Sequence, residues 1–187
     1  MTVRVVAASD ARRMPWKNGR GTTLELASDA PAGDPSAWTW RLSIADVPEP
    51  GPFSRFPGID RWIACLAGAG LRLHRNGRAD EAPRDGEALA FAGEDEVVGE
   101  PMGRGVRDIN LMLRRDGRRG RLRVVRNADG RAGGTVAILH AFEATDALPV
   151  EAGTSTVLLE PGATLVASRS LAWPARPGDT LAVAEIG

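Results

Sequence analysis

One cation in the chain stands out because of the residues beside it. Lys17 is the only lysine and lies in MPWKNGRGTTLELA, residues 14–27. Trp16 and Asn18 flank it with a flat apolar surface and an amide that can both donate and accept hydrogen bonds. The glycines that follow permit close approach of the backbone to a ligand. Because a plain turn needs neither the tryptophan nor the lysine, this segment is predicted to form one wall of a ligand pocket.

Two arginines on predicted strands could complete such a pocket. Arg41 lies in the alternating segment WTWRLSIADV, and Arg61 lies where the loop GPFSRFPGIDRW enters an apolar strand, a usual position for binding groups. Guanidinium groups pair bidentately with carboxylates, and a lysine acts as a compact positive charge. Together with Lys17 these arginines are predicted to bind a small carboxylate, with Thr22 and Glu25 as further polar groups.

A second polar strand face is predicted in RDINLMLRR. Alternation places its Ile and Leu residues on one face and Asp108, Asn110 and Met112 on the other. The same alternation places Ser43 beside Arg41. These faces could simply meet water, but Asn is a poor strand residue, and the interior of a small barrel can carry polar groups where it holds a ligand. Ser43, Asp108 and Asn110 are therefore predicted to orient the ligand.

The composition argues against several function classes. The 187 residues include 24 Lys and Arg and 24 Asp and Glu, so no net field recruits nucleic acid or a membrane. Seven arginines in residues 114–126 have no aromatic residue between them, which does not favour stacking on single strands. These arginines and the acidic stretch 80–100 could instead serve a protein contact, including one in a homodimer. No apolar run reaches 18 residues, and the expected location is the cytoplasm.

Metal binding and nucleophilic catalysis are not predicted. The histidines, His74 and His140, form no His-x-His pair, whereas a catalytic metal usually has three protein ligands. No G-x-S-x-G elbow is present, and Cys65, within WIACLAG, is predicted to pack inertly in the core. No cofactor, no bound metal and no catalytic residue are therefore assigned, and a binding role is favoured over an enzymatic one.

The fold is predicted to be all-β. Short alternating apolar runs are separated by 22 glycines and 13 prolines, a pattern typical of sandwiches and barrels. With a shift of 92 residues, CLAGAGLRL lies over VLLEPGATL and RDGEALAF over RPGDTLAV. This self-similarity predicts two stacked jelly-roll-type β-barrels. Residues 1–115 would carry the pocket and residues 116–187 would complete the second barrel, in a single compact unit.

Four segments in this order resemble the HutD/Ves family: MPWKNGRGTTLELA, WTWRLSIADV, GPFSRFPGIDRWIACLAGAGLRL and RDINLMLRR. The resemblance covers about residues 12–115 and implies a bicupin fold. For the HutD branch it implies an accessory or regulatory role in bacterial histidine utilisation, with a small anionic metabolite such as urocanate or formylglutamate as the ligand. No settled catalytic activity comes with the family. Matched by motif, the implied pocket residues are Lys17, Asn18, Thr22, Arg41, Ser43, Arg61, Asp108 and Asn110. Arg20 stands where many relatives have a third glycine.

Three functions are therefore open from the sequence. The favoured one is a non-catalytic bicupin that binds an anionic metabolite. The alternative is a metal-independent isomerase or hydrolase, with Asp108 or Glu25 as general base and Lys17 or Arg41 as its electrophilic partner. The third is a protein-interaction module that uses the charged stretches.

Overall fold

The computed structural model describes residues 2–15 and 21–187. The regular secondary structure of these residues is β-strand, apart from one 3-10 turn at Ala8–Asp10. The first ten strands are β1 (Val3–Val6), β2 (Arg12–Pro15), β3 (Thr22–Ser28), β4 (Trp40–Asp46), β5 (Gly51–Pro52), β6 (Ile59–Ala67), β7 (Leu71–Arg75), β8 (Arg78–Glu81), β9 (Gly86–Glu87) and β10 (Leu89–Ala92). The others are β11 (Val97–Pro101), β12 (Arg107–Arg114), β13 (Gly120–Arg126), β14 (Gly130–Ala132), β15 (Val136–Glu143), β16 (Leu148–Ala152), β17 (Ser155–Leu159), β18 (Thr164–Ala167), β19 (Leu171–Trp173) and β20 (Thr180–Ile186). The all-β prediction is confirmed. No helix among the described residues is long and apolar enough to cross a membrane.

The strands pair into four antiparallel sheets. The large N-terminal sheet has the order β10-β6-β12-β4-β3-β2, and the small N-terminal sheet has the order β5-β11-β7-β8. The large C-terminal sheet has the order β1-β18-β15-β20-β13-β9, and the small C-terminal sheet has the order β14-β19-β16-β17. The first strand of the chain thus pairs with β18, near the other end of the sequence.

The two pairs of sheets repeat the same strand order. The run β10-β6-β12-β4 corresponds to β18-β15-β20-β13, and β5-β11-β7-β8 corresponds to β14-β19-β16-β17. Strand β6 begins at Ile59 and its counterpart β15 at Val136, 77 residues later. The predicted shift of 92 residues is wrong, because it lays β7 of a small sheet over β18 of a large one. A strand, a glycine turn and another strand recur in every hairpin, so this pattern does not identify equivalent strands.

The main apolar core lies between the two large sheets. Leu42 and Leu111 from the N-terminal sheet meet Leu122 and Ile138 from the C-terminal one, all with essentially no exposed surface. Because side chains alternate along a strand, this packing turns the intervening residues of β4 and β12 away from the C-terminal half. Those residues face the small N-terminal sheet, and they are Arg41, Ser43, Asp108, Asn110 and Met112.

Charged side chains of the acidic stretch and the arginine run pair within the chain. Arg121 Nε donates to Glu87 Oε1 at 2.9 Å, and Arg115 Nη1 donates to Glu94 Oε1 at 2.9 Å. Exposed pairs of this kind add little to the stability of a fold. A contact between subunits through these stretches would therefore compete with partners that the arginines already have.

Arg126 ties the two large sheets together. Its Nη2 donates to the carbonyl of Leu66 on β6 at 2.8 Å, its Nη1 to Thr180 Oγ1 at 2.7 Å, and its Nε to the carbonyl of Arg84 at 3.0 Å. Replacing Arg126 with Met is expected to lower the free energy of unfolding by about 1–2 kcal/mol, because the partly buried Leu66 carbonyl and Thr180 hydroxyl each lose a donor. Urea denaturation measures this.

Arg119→Met is the matched control for that prediction. The Arg119 side chain is exposed and has no side-chain hydrogen bond or ion pair among the described residues. Equal stability of the two variants would show that the Arg126 contacts do not hold the sheets together.

Candidate functional site

A cavity of about 590 Å³ lies on the inner face of the large N-terminal sheet. Strands β2, β3, β4, β6 and β12 supply its floor, and the segment 52–56 supplies a wall. Five of the residues that the sequence singles out line it together: Arg41, Ser43, Arg61, Asp108 and Asn110. The structure thus gathers onto one surface residues that are up to 69 positions apart in the chain, from Arg41 to Asn110.

Strand register explains why these residues converge. Met112 of the central strand β12 lies opposite Arg41 on β4 and opposite Arg61 on β6, so the two guanidinium groups extend from either side of one methionine. Two residues along, Asn110 lies opposite Ser43. Every second residue of a strand shares a face, so this register makes one polar surface from three strands.

Arg61 is a buried cation with part of its hydrogen-bonding capacity unused. Its side chain belongs to a residue only 5% exposed. Nη1 donates to the carbonyl of Ser54 at 3.2 Å, and Nη2 donates to the Asn110 side-chain oxygen at 2.5 Å when that amide is oriented with its oxygen toward the guanidinium. The Nε atom is buried and has no hydrogen-bond partner among the described residues.

Aromatic rings surround the guanidinium of Arg61. The Cζ atom lies 5.0 Å from the ring centre of Phe91, 5.5 Å from that of Phe53 and 5.6 Å from that of Phe56. Such faces attract a cation but do not replace its water shell. Burial therefore lowers the pKa of Arg61 to about 10, opposed by the charge of Asp108. Arg61 keeps its positive charge at neutral pH.

Arg41 is half-buried, and its guanidinium group also lies beside aromatic rings. Its Cζ lies 5.0 Å from the ring centre of Trp38 and 5.7 Å from that of Phe56, and Nη2 lies 3.0 Å from the sulfur of Met112. Burial lowers the pKa of Arg41, and the charge of Glu25 opposes the shift. Its Nε atom is also buried without a partner among the described residues.

Asp108 is the acid of the cavity. The residue is 3% exposed, and its Oδ1 has no hydrogen-bond partner in the described part of the chain. Burial raises the pKa of Asp108 to about 7, against the attraction of Arg61 and a hydrogen bond from the backbone amide of Ala45. The carboxyl group therefore changes charge near neutral pH.

The unsatisfied atoms define the chemistry that this surface offers. Arg41, Arg61 and Asp108 line one cavity, and each has a buried polar atom without a partner among the described residues. An unpaired buried polar group costs about 1–3 kcal/mol, so such groups are usually satisfied by water or a ligand. A carboxylate fits a cavity lined by two arginine side chains, since a guanidinium group can bind a carboxylate through two parallel hydrogen bonds.

Thr22 is predicted on this surface, but its neighbour Thr23 lines the cavity instead. Leu24, two residues after Thr22, packs against the core between the large sheets. Thr22 therefore shares the face of Leu24, and Thr23 takes the inner one, opposite Ala45 of β4.

Glu25 also differs from its predicted place, because it does not line the cavity. Its Oε2 accepts from Arg12 Nη2 at 3.0 Å, and its Oε1 accepts from Ser28 Oγ at 3.3 Å. Arg12 lies opposite Glu25 across the β2–β3 pair. Glu25 is therefore already held in an ion pair. Its effect on the site is that its negative charge opposes the lowering of the Arg41 pKa.

The predictions for Trp16, Lys17 and Asn18, and the question raised by Arg20, lie outside the described residues. Sequence reasoning assigns no binding role to the aromatic wall, because Phe53 and Phe56 fit a place in the core equally well. The signal available is a pair of phenylalanines separated by Ser and Arg in GPFSRFPG, a segment that lies just before Arg61.

A metal, which related folds often carry, does not fit the described residues. His74 lies on the outer face of β7, with Nε2 2.7 Å from Glu100 Oε2, and His140 is buried beside Thr164 on β18. In the described ranges no three His, Cys, Asp or Glu residues could hold one ion. Cys65 is fully buried in the core beneath the cavity, as predicted, and burial raises the pKa of its thiol.

The corresponding space in the C-terminal half is filled with hydrocarbon. Strands β15 and β20 direct Leu139, Leu181 and Val183 toward the small C-terminal sheet, where they pack with Val150 and Trp173. The polar surface described here therefore belongs to the N-terminal half.

Comparisons with known proteins identify relatives of this chain. An uncharacterized protein from the hutC 3′ region of Pseudomonas putida is 42% identical over 110 residues, which are 59% of this chain and 57% of that protein. Protein Ves from Cronobacter sakazakii is 36% identical over 147 residues, or 74% of this chain and 80% of that protein. The chain therefore spans little more than half the length of the Pseudomonas putida relative.

Solved structures extend the likeness to the whole chain. A conserved protein of unknown function from Pseudomonas aeruginosa PAO1 is 31% identical with a TM-score of 0.85, covering 100% of this chain and 99% of that one. HutD from Pseudomonas fluorescens SBW25 is 27% identical with a TM-score of 0.74, covering 99% and 98%.

A more distant structure bears on the fold alone. Salicylate 1,2-dioxygenase from Pseudoaminobacter salicylatoxidans, at 12% identity, has a TM-score of 0.62 and covers 98% of this chain and 80% of its own. The four sheets are thus those of a cupin-type jelly-roll fold, while the two stacked barrels stay a prediction. The HutD family model matches residues 8–182, and the chain belongs to the HutD/Ves family.

Proposed function

We propose that the cavity binds a small anionic metabolite and that the protein acts as a non-catalytic accessory or regulatory protein of histidine utilisation. One observation carries the proposal: the buried Arg61 and the half-buried Arg41 line one cavity, and each has an Nε–H donor without a partner among the described residues. Asp108 is the acid among the described residues that line it. When Asp108 is neutral, two positive charges face the ligand without a balancing negative charge.

The family supports the choice of metabolite. The Pseudomonas putida relative comes from the hutC region, and one solved relative is HutD itself. Acids of histidine degradation such as urocanate and formylglutamate combine a carboxylate with a short body, and a cavity of about 590 Å³ is within the range of small-molecule sites. This role would place the protein in the cytoplasm.

A thermal-shift experiment tests the proposal. Ligand-free protein is titrated with urocanate and with N-formylglutamate, and each acid has its neutral methyl ester or amide as control. At ten times the dissociation constant, binding to the folded state adds about 1.4 kcal/mol, which raises the Tm by roughly 4 °C in a chain of this size. A rise with an acid and none with its neutral analogue is expected; no rise with either acid would contradict the proposal.

A metal-independent isomerase or hydrolase acting on a small carboxylate is the second candidate, and Asp108 is the observation that favours it. A buried carboxyl group with a pKa of about 7 and an oxygen without a partner among the described residues is suited to general acid–base work. Turnover of a bound acid by the wild-type protein, lost in Asp108→Asn while binding is kept, would identify this second function. Binding without turnover in both proteins would support the first.

A further inference from the structure

Gly99 occupies an inward-facing position behind the cavity wall. It lies on β11, opposite Gly51 on β5 and Leu73 on β7. Val97, two residues before it on the same face, packs in the core beneath the cavity. A side chain at position 99 would therefore point to the inside of the N-terminal half, although Gly99 itself does not line the cavity.

The ring of Phe53 fills the space that a side chain of residue 99 would need. A Cβ atom added to Gly99 would lie 2.9 Å from Phe53 Cζ and closer still to Cε1. The backbone of Phe53 is held in place, because its amide donates to the carbonyl of Val97 at 2.8 Å. A larger residue at position 99 must therefore displace the ring rather than the chain that carries it.

The cavity offers a displaced ring room to move, because Phe53 lines it. Arg61 lines the same cavity, and its Cζ lies 5.5 Å from the ring centre. A ring pushed off β11 into the cavity reduces the space beside this guanidinium. We propose that Gly99 is a positioning residue that sets the depth of the cavity, and so the size of the acid it admits, by letting the Phe53 ring lie close against β11. This inference rests on the proposed binding of a carboxylate.

Gly99→Ala tests the inference, with Gly51→Ala as the matched control. The two glycines lie opposite each other across β5 and β11, and neither has a positive φ, so alanine is compatible with both backbones. A Cβ at Gly51 would meet no atom within 4 Å. The readouts are the crystal structure of each ligand-free variant and calorimetric titration with formate and with urocanate.

Gly99→Ala is expected to shift the Phe53 ring into the cavity, to weaken urocanate binding at least tenfold and to change formate binding less than threefold. Gly51→Ala is expected to match the wild-type protein in every readout. An unmoved ring, or an equal loss for both acids, would overturn the proposal. If the wild-type protein binds neither formate nor urocanate, titration with N-formylglutamate decides the proposed function, and the position of the ring alone decides whether Gly99 holds Phe53.

A double-mutant cycle shows whether the effect passes through the ring. In a Phe53→Leu background the side chain is smaller, so Gly99→Ala is expected to cause no further loss of urocanate binding. A loss as large as in the wild-type background would mean that Gly99 acts by another route. If Gly99→Ala alone does not fold, urocanate binding by the double variant can still be compared with that by Phe53→Leu.

Discussion

Replacing Arg61 with methionine is expected to lower the affinity for a small carboxylate by at least about 30-fold. Arg61 is nearly fully buried, and its Nε has no partner among the described residues of the cavity. Removing one partner of a desolvated charge pair costs about 2 kcal/mol or more, and 1.4 kcal/mol is a factor of ten in affinity. Methionine keeps much of the apolar volume between the phenylalanine rings, so the loss reports on charge and hydrogen bonding rather than on packing. Calorimetric titration with formylglutamate measures it.

Arg75→Met is the matched control for this variant. Arg75 also places its guanidinium over Phe91, with Cζ 5.7 Å from the ring centre, but it pairs with Asp80 and Asp95 and does not line the cavity. Its replacement is expected to leave affinity unchanged within about twofold. Arg61→Lys is expected to recover little, because a lysine lacks the planar fork that binds a carboxylate. Wild-type affinity in Arg61→Met would mean that the cavity does not bind acids through this residue.

Most of the site can be predicted from the alternation of side chains along the strands. In β4 and β12 the Leu and Ile residues take the core face, so the polar face, with Arg41, Ser43, Asp108 and Asn110, can be identified from the amino-acid sequence. This works because side-chain direction in a strand is a local property with a period of two. The same rule, applied to Leu24 and Leu26 of β3, places Thr23 and Glu25 on the other face, and of these two Thr23 lines the cavity. Thr22 is predicted from its polar side chain and from the family motif, and neither takes account of this alternation.

Contacts between distant segments could not be predicted in this way. Glu25 meets Arg12 because β2 pairs with β3 in one particular register, and Phe53 lies against Gly99 because β5 pairs with β11. Neither pairing follows from local composition. The 92-residue shift is wrong for the same reason, since hairpins resemble one another wherever they occur. Burial is also a property of the whole fold, so the shifted pKa of Asp108 arises only once the sheets are assembled.

That burial makes Asp108→Asn an informative variant. The folded-state pKa of about 7 lies above the ordinary value of 3.8, so between about pH 4 and pH 7 the native protein holds a proton that the unfolded chain releases. Wild-type stability therefore falls as the pH rises through this window, and the whole cost is present above pH 7. Asparagine does not titrate. The stability of Asp108→Asn relative to wild type is expected to increase by on the order of 2 kcal/mol between pH 5 and pH 8.

Urea denaturation at several pH values measures this difference, with Asp129→Asn as the control. Asp129 is exposed and does not line the cavity. This control removes a surface carboxylate and leaves the buried site unchanged, so a gain seen in Asp108→Asn alone belongs to the buried carboxyl group. If the difference in unfolding free energy between Asp108→Asn and wild type does not change over this pH range, ionisation of Asp108 does not destabilise the folded protein.

The same proton should govern binding. A neutral Asp108 leaves the charges of Arg41 and Arg61 free to attract an anion, whereas an ionised Asp108 competes with the ligand for Arg61. Formate stays ionised throughout this range, so wild-type affinity for formate is expected to fall roughly three- to tenfold from pH 6 to pH 8. Asp108→Asn is expected to hold the low-pH affinity at both values, because its side chain cannot become negative. Equal pH dependence of formate affinity in the two proteins would mean that another group titrates and that Asp108 does not control binding.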